Sequence, residues 1–417
     1  MLDGQQQQQL RERLANLIGA RGVRQARRRP VDVVVHHAEI CNRHGTGVLI
    51  QRLFGSGPEM VAIRSQNHYG GHQRFGEAGF LISHGAASRP DVYATVLETL
   101  RGTEVRRAIA IPFYADDART AIALKDAFAP PLCTYIMDDQ NIECRGIPDD
   151  VLRELLAKSE LRLAISPELR AEYQRKFGLR FWVLPPVVEA DLICPRPSVP
   201  DRQVLAERRG VIVGNVWGRR WLIGLCDILR GTGIRLDWYA SSGLQWSPLS
   251  ASELAEAGVH VRSPLPEPEL TRILRGSAYV VHPSGTLDEY DTHRAIARLS
   301  LPSKVPYVLA TSHTPVLVIG HPETAAARFV RAMGTGLAIP YRRASLVHAV
   351  GELTDPAVQA RMRARAADLA SGFSSAGVGQ WIWRSLEAGR AADDRFEQLL
   401  GPTELPPSPT PHQLPRP

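Results

Sequence analysis

A serine and a lysine, Ser303-Lys304, stand where the sequence predicts the start of a helix. A polar turn follows, then a continuous apolar run over Val316–Ile319, and then residues 320–325 open a second helix. Buried parallel strands have such apolar runs because helices cover both faces of the sheet. Helix N-termini present free N–H groups and a partial positive charge, which suit a phosphate group. Together with the charge of Lys304, these two helix starts predict a site that binds a diphosphate.

Two adjacent aspartates, Asp138 and Asp139, follow a predicted buried strand over residues 132–137. A carboxylate in this place is a candidate general base, and it is equally a candidate helix N-cap, so both interpretations stay open. Adjacent side chains of an extended segment point to opposite sides, and the pair therefore does not form the Asp-x-Asp arrangement of a metal site. We expect neither a metal ion nor a resident cofactor.

A glycine-containing segment, Gly45-Thr46-Gly47, lies between the first predicted strand, residues 31–35, and a helix over residues 48–54. Glycine lets the backbone approach a ligand closely, but a GxG segment alone is also an ordinary turn. His84 follows another short strand and is either a ligand contact or a plain loop residue. All four residues are candidates for contacting a substrate.

The composition excludes several classes of protein. The chain has 417 residues, a formal net charge of +7 and five cysteines without a Cys-x-x-Cys pair, so neither a zinc site nor a disulfide framework is expected. No apolar run approaches the roughly 20 residues of a membrane span, and the N-terminus has no apolar signal-peptide core. The scattered cysteines make a reducing cytoplasm the expected compartment. Residues 21–29 are strongly basic, which fits either a solvated segment or a peripheral contact with the inner face of a membrane. No nucleic-acid-binding module is evident.

Strands alternate with helices in two successive series, which predicts an α/β fold with two Rossmann-like, doubly wound domains. A proline-rich stretch separates the series, as in a stiff linker. The predicted parts are a flexible basic extension (1–30), an N-terminal Rossmann-like domain (31–190), a linker (191–205), a C-terminal Rossmann-like domain (206–370), a C-terminal helix that packs back towards the N-terminal domain (371–400) and a disordered proline-rich tail (401–417).

Several motifs resemble those of glycosyltransferases with the GT-B fold, over residues 31–400. The segments that carry the resemblance are LPSK at residues 301–304, YVLA at 307–310, TPVL at 314–317, VHPSG at 281–285, YIMDD at 135–139, LAIS at 163–166 and VLPP at 183–186. The match is stronger in the second half. A GT-B fold implies two Rossmann-like domains facing a central cleft, with a nucleotide-sugar donor in the second and an acceptor in the first.

The resemblance also implies roles for individual residues. Lys304, with Ser303 and either Arg219 or Arg220, would hold the diphosphate and stabilise it as it leaves, without a metal. The other donor-binding residues that it implies are Gly214, Asn215, Trp217, Ser284, Gly285, Glu323, Thr324 and Ala325. Asp138 or Asp139 would accept the acceptor's proton or stabilise a positively charged sugar. The residues that would contact the acceptor or the sugar are Gly45, Thr46, Gly47 and His84.

The implied activity is that of a hexosyltransferase, acting on a glycan, lipid-linked or small-molecule acceptor, with retention of configuration favoured. The sequence departs from retaining relatives at their Glu-x7-Glu pair, because residues 305–307 offer no acid in the second position. Glu323 is our substitute for the ribose contact. Two alternatives stay open: a non-catalytic GT-B-like binding or partner protein, and a sugar-nucleotide epimerase. A dinucleotide-dependent oxidoreductase ranks last, because residues 211–214 lack a GxGxxG motif.

Overall fold

The structure is a computed structural model that describes residues 29–55, 57, 59–72, 75–240 and 247–401. Its strands are β1 (Arg29–His36), β2 (Met60–Arg64), β3 (Ala78–Leu81), β4 (Thr103–Ile111), β5 (Leu132–Ile136), β6 (Leu161–Ala164), β7 (Trp182–Val183), β8 (Arg209–Val213), β9 (Arg235–Tyr239), β10 (Val259–Arg262), β11 (Tyr279–Pro283), β12 (Val316–Ile319) and β13 (Gly336–Ile339). The helices before β11 are α1 (Gly45–Phe54), α2 (Arg89–Thr99), α3 (Ala115–Phe128), α4 (Asp149–Lys158), α5 (Pro167–Phe177), α6 (Arg202–Ala206), α7 (Arg219–Leu229), α8 (Ala251–Glu256) and α9 (Glu267–Gly276). The later helices are α10 (Arg294–Leu299), α11 (Lys304–Ser312), α12 (Ala325–Met333), α13 (Arg343–Leu353), α14 (Pro356–Ala370), α15 (Val378–Ala388) and α16 (Arg395–Leu400).

The strands form two sheets that are wound in the same way. The first has seven strands in the order β3-β2-β1-β4-β5-β6-β7, and the second has six in the order β10-β9-β8-β11-β12-β13. The paired strands run parallel. In each sheet the chain order reverses beside the first strand, between β1 and β4 and between β8 and β11. Open α/β sheets bind ligands at the carboxyl edge of such a switch point.

The second sheet is buried on both faces. In β12, Leu317 and Ile319 belong to one hydrophobic cluster, whereas Val316 and Val318 belong to another. Successive side chains of a strand point to opposite faces, so the two clusters lie on the two faces of this sheet. Helices α7 and α13 pack into the first cluster, and α11 and α12 pack into the second. Burial on both faces accounts for the uninterrupted apolar runs in the sequence.

The described residues divide into two compact units. The smaller unit draws on residues 29–39, 56–134 and 146–160, and the larger one on residues 40–55, 135–145 and 161–401. Helix α1 and strands β6 and β7 therefore belong to the larger unit, although they fall within the predicted N-terminal domain. The assignment of an acceptor domain and a donor domain stays a prediction.

Two parallel, doubly wound sheets confirm the predicted α/β fold class. The predicted C-terminal helix over residues 371–400 is instead two helices, α15 and α16, because Gly389 takes a left-handed conformation with φ +61° and ends α15. Residues 1–28 of the predicted extension and 402–417 of the predicted tail lie outside the described residues. Among the helices described, none combines the length and apolar character needed to cross a bilayer.

Candidate active site

Lys304 lies at the switch point of the second sheet. It is the first residue of α11, and its Nζ donates a hydrogen bond of 2.5 Å to the carbonyl oxygen of Asn215, in the loop that follows β8. Burial lowers the pKa of Lys304 to about 8, because desolvation disfavours the ammonium form. The lysine therefore lies at the switch point, where open α/β sheets bind ligands, and it contacts Asn215, another of the predicted donor-binding residues.

The loop after β8 has a fixed shape. Gly214 adopts φ +68°, which a side chain would strain, and its N–H donates to the carbonyl of Tyr239 at 2.9 Å. The indole Nε1 of Trp238 donates to the carbonyl of Gly214 at 2.8 Å. A Cβ at position 214 would stand 3.9 Å from the Nζ of Lys304. The glycine thus keeps the loop within reach of the lysine.

His282, the fourth residue of β11, is a site residue to which our sequence analysis gives no role. Its side chain is 6% exposed, and its Nδ1 has no hydrogen-bond partner within the described part of the chain. Burial, aided by the charge of Lys304, holds the pKa of His282 well below its ordinary value, so the ring is neutral. The signal in the sequence is the VHPSG segment itself, in which the histidine precedes the predicted Ser284 and Gly285.

Ser284 and Gly285 pack tightly against the loop that follows β12. A Cβ at Gly285 would lie 2.5 Å from Cβ of Ala297 and 2.6 Å from a carboxylate oxygen of Asp291. The carbonyl of Gly285 accepts the N–H of His321 at 2.7 Å. The structure therefore brings the VHPSG loop against the start of the 320–325 segment.

Two helix N-termini meet at Ser303. A Cβ built on Gly45, the first residue of α1, would stand 3.2 Å from the Oγ of Ser303, the residue that precedes Lys304. Thr46 is half-buried beside it. Gly47 has another reason to be glycine, because a Cβ there would lie 2.5 Å from the carbonyl oxygen of Cys41. Gly45 is thus the member of this segment that faces the candidate site.

Asp138 follows β5 and lies half-buried in the larger unit. Burial raises the pKa of Asp138 to about 6, and the nearby Ser300 hydroxyl lowers this pKa while the neighbouring Asp139 carboxylate raises it further. Ser300 caps the end of α10 and is four residues before Lys304. The carboxyl group of Asp138 is therefore close to the chain segment that leads into Lys304. Its raised pKa of about 6 is near neutral pH.

Asp139 has a different surrounding from Asp138. Its carboxylate is fully buried and accepts the backbone N–H groups of the four residues that follow Gln140, at 2.7–3.2 Å. The hydroxyl of Tyr173 lies 3.3 Å from the same carboxylate. These bonds occupy both oxygens, so the geometry favours a loop-organising role for Asp139 over the catalytic role predicted for it.

The start of α12 is well formed. Thr324 caps the helix, its Oγ1 accepting the N–H of Ala327 at 3.4 Å, and both Thr324 and Ala325 are buried. The carboxylate of Glu323 is paired with the guanidinium of Arg328. A ribose hydroxyl at Glu323 would share this carboxylate with an arginine, and the ribose contact stays a prediction.

Three predicted site residues take part in none of the contacts described above. Trp217 is 62% exposed, and Arg219 is exposed at the first position of α7. His84 belongs to the smaller unit, where its Nε2 bonds the Thr120 hydroxyl at 2.7 Å and burial lowers its pKa. The imidazole of His84 is therefore engaged in the packing of its own unit.

No protein-family model and no curated protein sequence matches this chain. In structure it is similar to HepE from Anabaena, solved in complex with UDP, with a TM-score of 0.61 and 14% identity over 86% of this chain and 100% of that one. It is also similar to a glycosyltransferase from Rickettsia africae, with a TM-score of 0.58 and 10% identity over 87% and 99% of the two chains. A third similar structure is a Listeria monocytogenes protein assigned as a UDP-N-acetylglucosamine 2-epimerase, with a TM-score of 0.56 and 11% identity over 88% and 97%. These similarities confirm the predicted GT-B fold.

Proposed function

We propose that this chain is a glycosyltransferase of the hexosyltransferase class, which moves a sugar from a nucleotide-diphosphate donor to an acceptor without a metal ion. The observation that carries the proposal is the position of Lys304, at the start of a buried helix and at the switch point of a parallel sheet, with its ammonium on the Asn215 carbonyl. The similarity in fold to HepE, whose structure holds UDP, supports a nucleotide diphosphate as the ligand.

In the proposed reaction the diphosphate is the leaving group. The bond between the anomeric carbon and the phosphate oxygen breaks, and the phosphate takes the electron pair and gains negative charge. The ammonium of Lys304 and the N–H groups at the start of α12 stabilise this charge most strongly in the transition state. An anion beside Lys304 also offsets the desolvation that lowers its pKa in the free protein.

The acceptor hydroxyl forms the new bond to the anomeric carbon and loses its proton. Asp138 is the base in this proposal, since a carboxyl group with a pKa of about 6 is mostly ionised at neutral pH and still has the basicity to accept a proton. Asp139 holds the loop that carries Asp138. The neutral imidazole of His282 is placed to bond a hydroxyl of the donor through its Nδ1.

The proposal includes retention of anomeric configuration, in line with the retaining relatives that the motifs resemble, so the acceptor hydroxyl attacks from the same face of the sugar that the diphosphate leaves. The acceptor is a glycan, a lipid-linked molecule or a small molecule. We place the reaction in the cytoplasm, because the cysteines in the described residues are free thiols, as a reducing compartment favours. The proton coupling constant at the anomeric carbon of the product, read by NMR, distinguishes retention from inversion.

Calorimetry with UDP, GDP, ADP and dTDP tests the donor site. We expect one of them to bind, and we expect Lys304→Ala to weaken that binding at least tenfold while Arg361→Ala, which removes an exposed positive charge from α14, leaves it unchanged. In transfer assays Lys304→Ala should lower kcat by about 10²–10³, the range seen when one stabilising donor is removed. Undiminished turnover in Lys304→Ala would refute the mechanism.

The epimerase alternative has one observation in its favour, the similarity in fold to the Listeria monocytogenes protein. An epimerase needs no acceptor, so an isomerised donor in acceptor-free reactions would favour it over a transferase. Failure of all four nucleotides to bind would favour the non-catalytic alternative.

A further inference from the structure

A group of five ring side chains lies in the smaller unit, at the carboxyl ends of three neighbouring strands. We call it the ring cluster, and its members are His37, His68, Tyr69, Phe113 and Tyr114. His37 follows β1, the pair 68–69 belongs to the loop after β2, and the pair 113–114 follows β4. In the first sheet β1 lies between β2 and β4, so the cluster stands at that sheet's own switch point.

The rings are in mutual contact. His37 is central, with its ring centroid 4.1 Å from that of Phe113 and 6.0 Å from those of His68 and Tyr114. The hydroxyl of Tyr114 lies 3.4 Å from Nε2 of His68, which joins the loop after β2 to the loop after β4. The five side chains therefore form one continuous surface made of ring faces and polar ring edges.

The outer part of this surface is accessible. Tyr114 is 41% exposed, and it is one of the few large hydrophobic residues in the described structure with that degree of exposure. His68 is exposed as well, whereas His37 and Phe113 are half-buried beneath them. An exposed tyrosine supported by half-buried rings is typical of a contact surface for a ligand rather than of a core.

Two buried carboxylates hold the cluster in place through the backbone. Glu39 accepts the N–H groups of His68 at 3.0 Å and Tyr69 at 3.1 Å. Asp117 accepts those of Phe113 at 2.9 Å and Tyr114 at 2.8 Å. Both acids belong to the smaller unit and are almost fully buried. The two loops are thus fixed before any ligand arrives, which is the support that a binding site needs.

We propose that the ring cluster binds a pyranose ring of the acceptor, an inference that rests on the proposed transferase function and specifies its acceptor as a carbohydrate. The C–H face of a pyranose is apolar and its hydroxyl groups are polar, which matches ring faces bordered by imidazole nitrogens and a phenol. The five members include no lysine or arginine, so their chemistry suits a neutral ligand better than a phosphate.

Saturation-transfer-difference NMR with the α- and β-methyl glycosides of glucose, galactose, mannose, rhamnose and N-acetylglucosamine tests this inference on the full-length protein. We expect at least one glycoside to bind, with its ring protons saturated, and we expect Tyr114→Ala and His68→Ala to reduce the signal at least fivefold. Tyr114→Phe keeps the ring face and should stay within about threefold of the wild type. Tyr290→Ala removes a tyrosine that is 63% exposed in the larger unit and should change nothing.

The inference is overturned if no glycoside of the set binds, or if binding survives unchanged in both Tyr114→Ala and His68→Ala. Thermal unfolding of each variant shows whether a lost signal reflects a lost fold, and Tyr114→Phe reports on the site if Tyr114→Ala does not fold. Nucleotide binding is measured separately. If nucleotides bind but the glycoside signal is unchanged by these substitutions, the inference fails while the proposed transferase stands. If glycosides bind the ring cluster but no nucleotide binds, the proposed transferase fails.

Discussion

The ammonium of Lys304 donates to the backbone carbonyl oxygen of Asn215 across 2.5 Å, and so connects the start of α11 to the loop after β8. An ammonium group has three donors, and this bond accounts for one of them. A neutral carbonyl does not offset the desolvation of a buried charge, which explains why the pKa of Lys304 falls to about 8. The desolvated ammonium of Lys304 therefore destabilises the free protein, and a bound anion would offset that cost.

Replacement of Lys304 by methionine should stabilise the free protein at pH 7. The folded pKa of about 8 lies below the unfolded value of about 10.4, so at pH 7 both states hold the proton and the folded state bears the full cost of the desolvated ammonium. We expect Lys304→Met to raise the free energy of unfolding by about 1–2 kcal/mol at pH 7, because the replacement of a residue that serves function at a cost in stability commonly gains that much. The gain should shrink between pH 8 and pH 10.4. Urea denaturation at pH 7 and pH 9.5 measures it, and a variant less stable than the wild type at pH 7 contradicts it.

Binding of a nucleotide diphosphate should weaken at alkaline pH. Above pH 8 the free lysine is mostly neutral, and an anion binds well only after the amine takes up a proton. We expect the dissociation constant for the nucleotide that binds to rise about tenfold per pH unit above pH 8, with proton uptake visible as a buffer-dependent enthalpy in calorimetry. Lys304→Met should bind weakly and without this pH dependence. A flat profile in the wild type would show that the lysine does not meet the phosphates.

The acid limb of the pH–rate profile should report on Asp138. Its pKa is raised to about 6 by burial, so the basic form is present above pH 6 and is lost below it. We expect kcat/KM to fall as the pH drops below about 6, and Asp138→Asn to lower kcat by about 10²–10⁴, as for loss of a general base. Nucleotide affinity should be unchanged in Asp138→Asn. If the acid limb persists in a residually active Asp138→Asn protein, another group provides it.

Much of the fold was predictable because burial on both faces of a parallel sheet produces continuous apolar runs such as that of β12. The position of Lys304 at a helix start was predictable for a related reason, because the polar residues before it and the buried strand after it bound a helix in the α/β alternation.

The division of roles between Asp138 and Asp139 was not predictable from the sequence. The two residues have the same side chain, and only the course of the following loop decides which carboxylate accepts the backbone N–H groups. The same holds for Gly47, whose missing side chain makes room for the carbonyl of Cys41 rather than for a ligand. Contacts of this kind depend on tertiary packing, which leaves no periodic signal.

Asp139→Ala should reduce stability much more than Asp138→Asn does. Removal of the Asp139 carboxylate leaves several N–H groups of the 141–144 loop without their acceptor, together with the hydroxyl of Tyr173. We expect a loss of about 2–4 kcal/mol in the free energy of unfolding, since buried polar groups without partners are costly. Urea denaturation measures this loss. A stable Asp139→Ala protein that has lost transfer activity would instead support the catalytic role.

A double-mutant cycle tests whether the meeting of Gly45 and Ser303 belongs to the donor site. The backbone at Gly45 does not require a positive φ, so alanine is tolerated locally, but its Cβ would stand 3.2 Å from the Oγ of Ser303 and push that residue aside. We expect Gly45→Ala to weaken nucleotide binding about tenfold, and Gly45→Ala with Ser303→Ala to recover part of the loss, with a coupling of about 0.5–1.5 kcal/mol. Calorimetry of the two single variants and the double variant gives that coupling.

The matched control for this cycle is Gly276→Ala, because a Cβ at Gly276 would meet nothing within 4 Å and position 276 also lies in a helix. It should leave nucleotide affinity unchanged. If Gly45→Ala behaves like Gly276→Ala, or if the effects of Gly45→Ala and Ser303→Ala simply add, the starts of α1 and α11 do not act on one ligand, and α1 takes no part in binding the diphosphate.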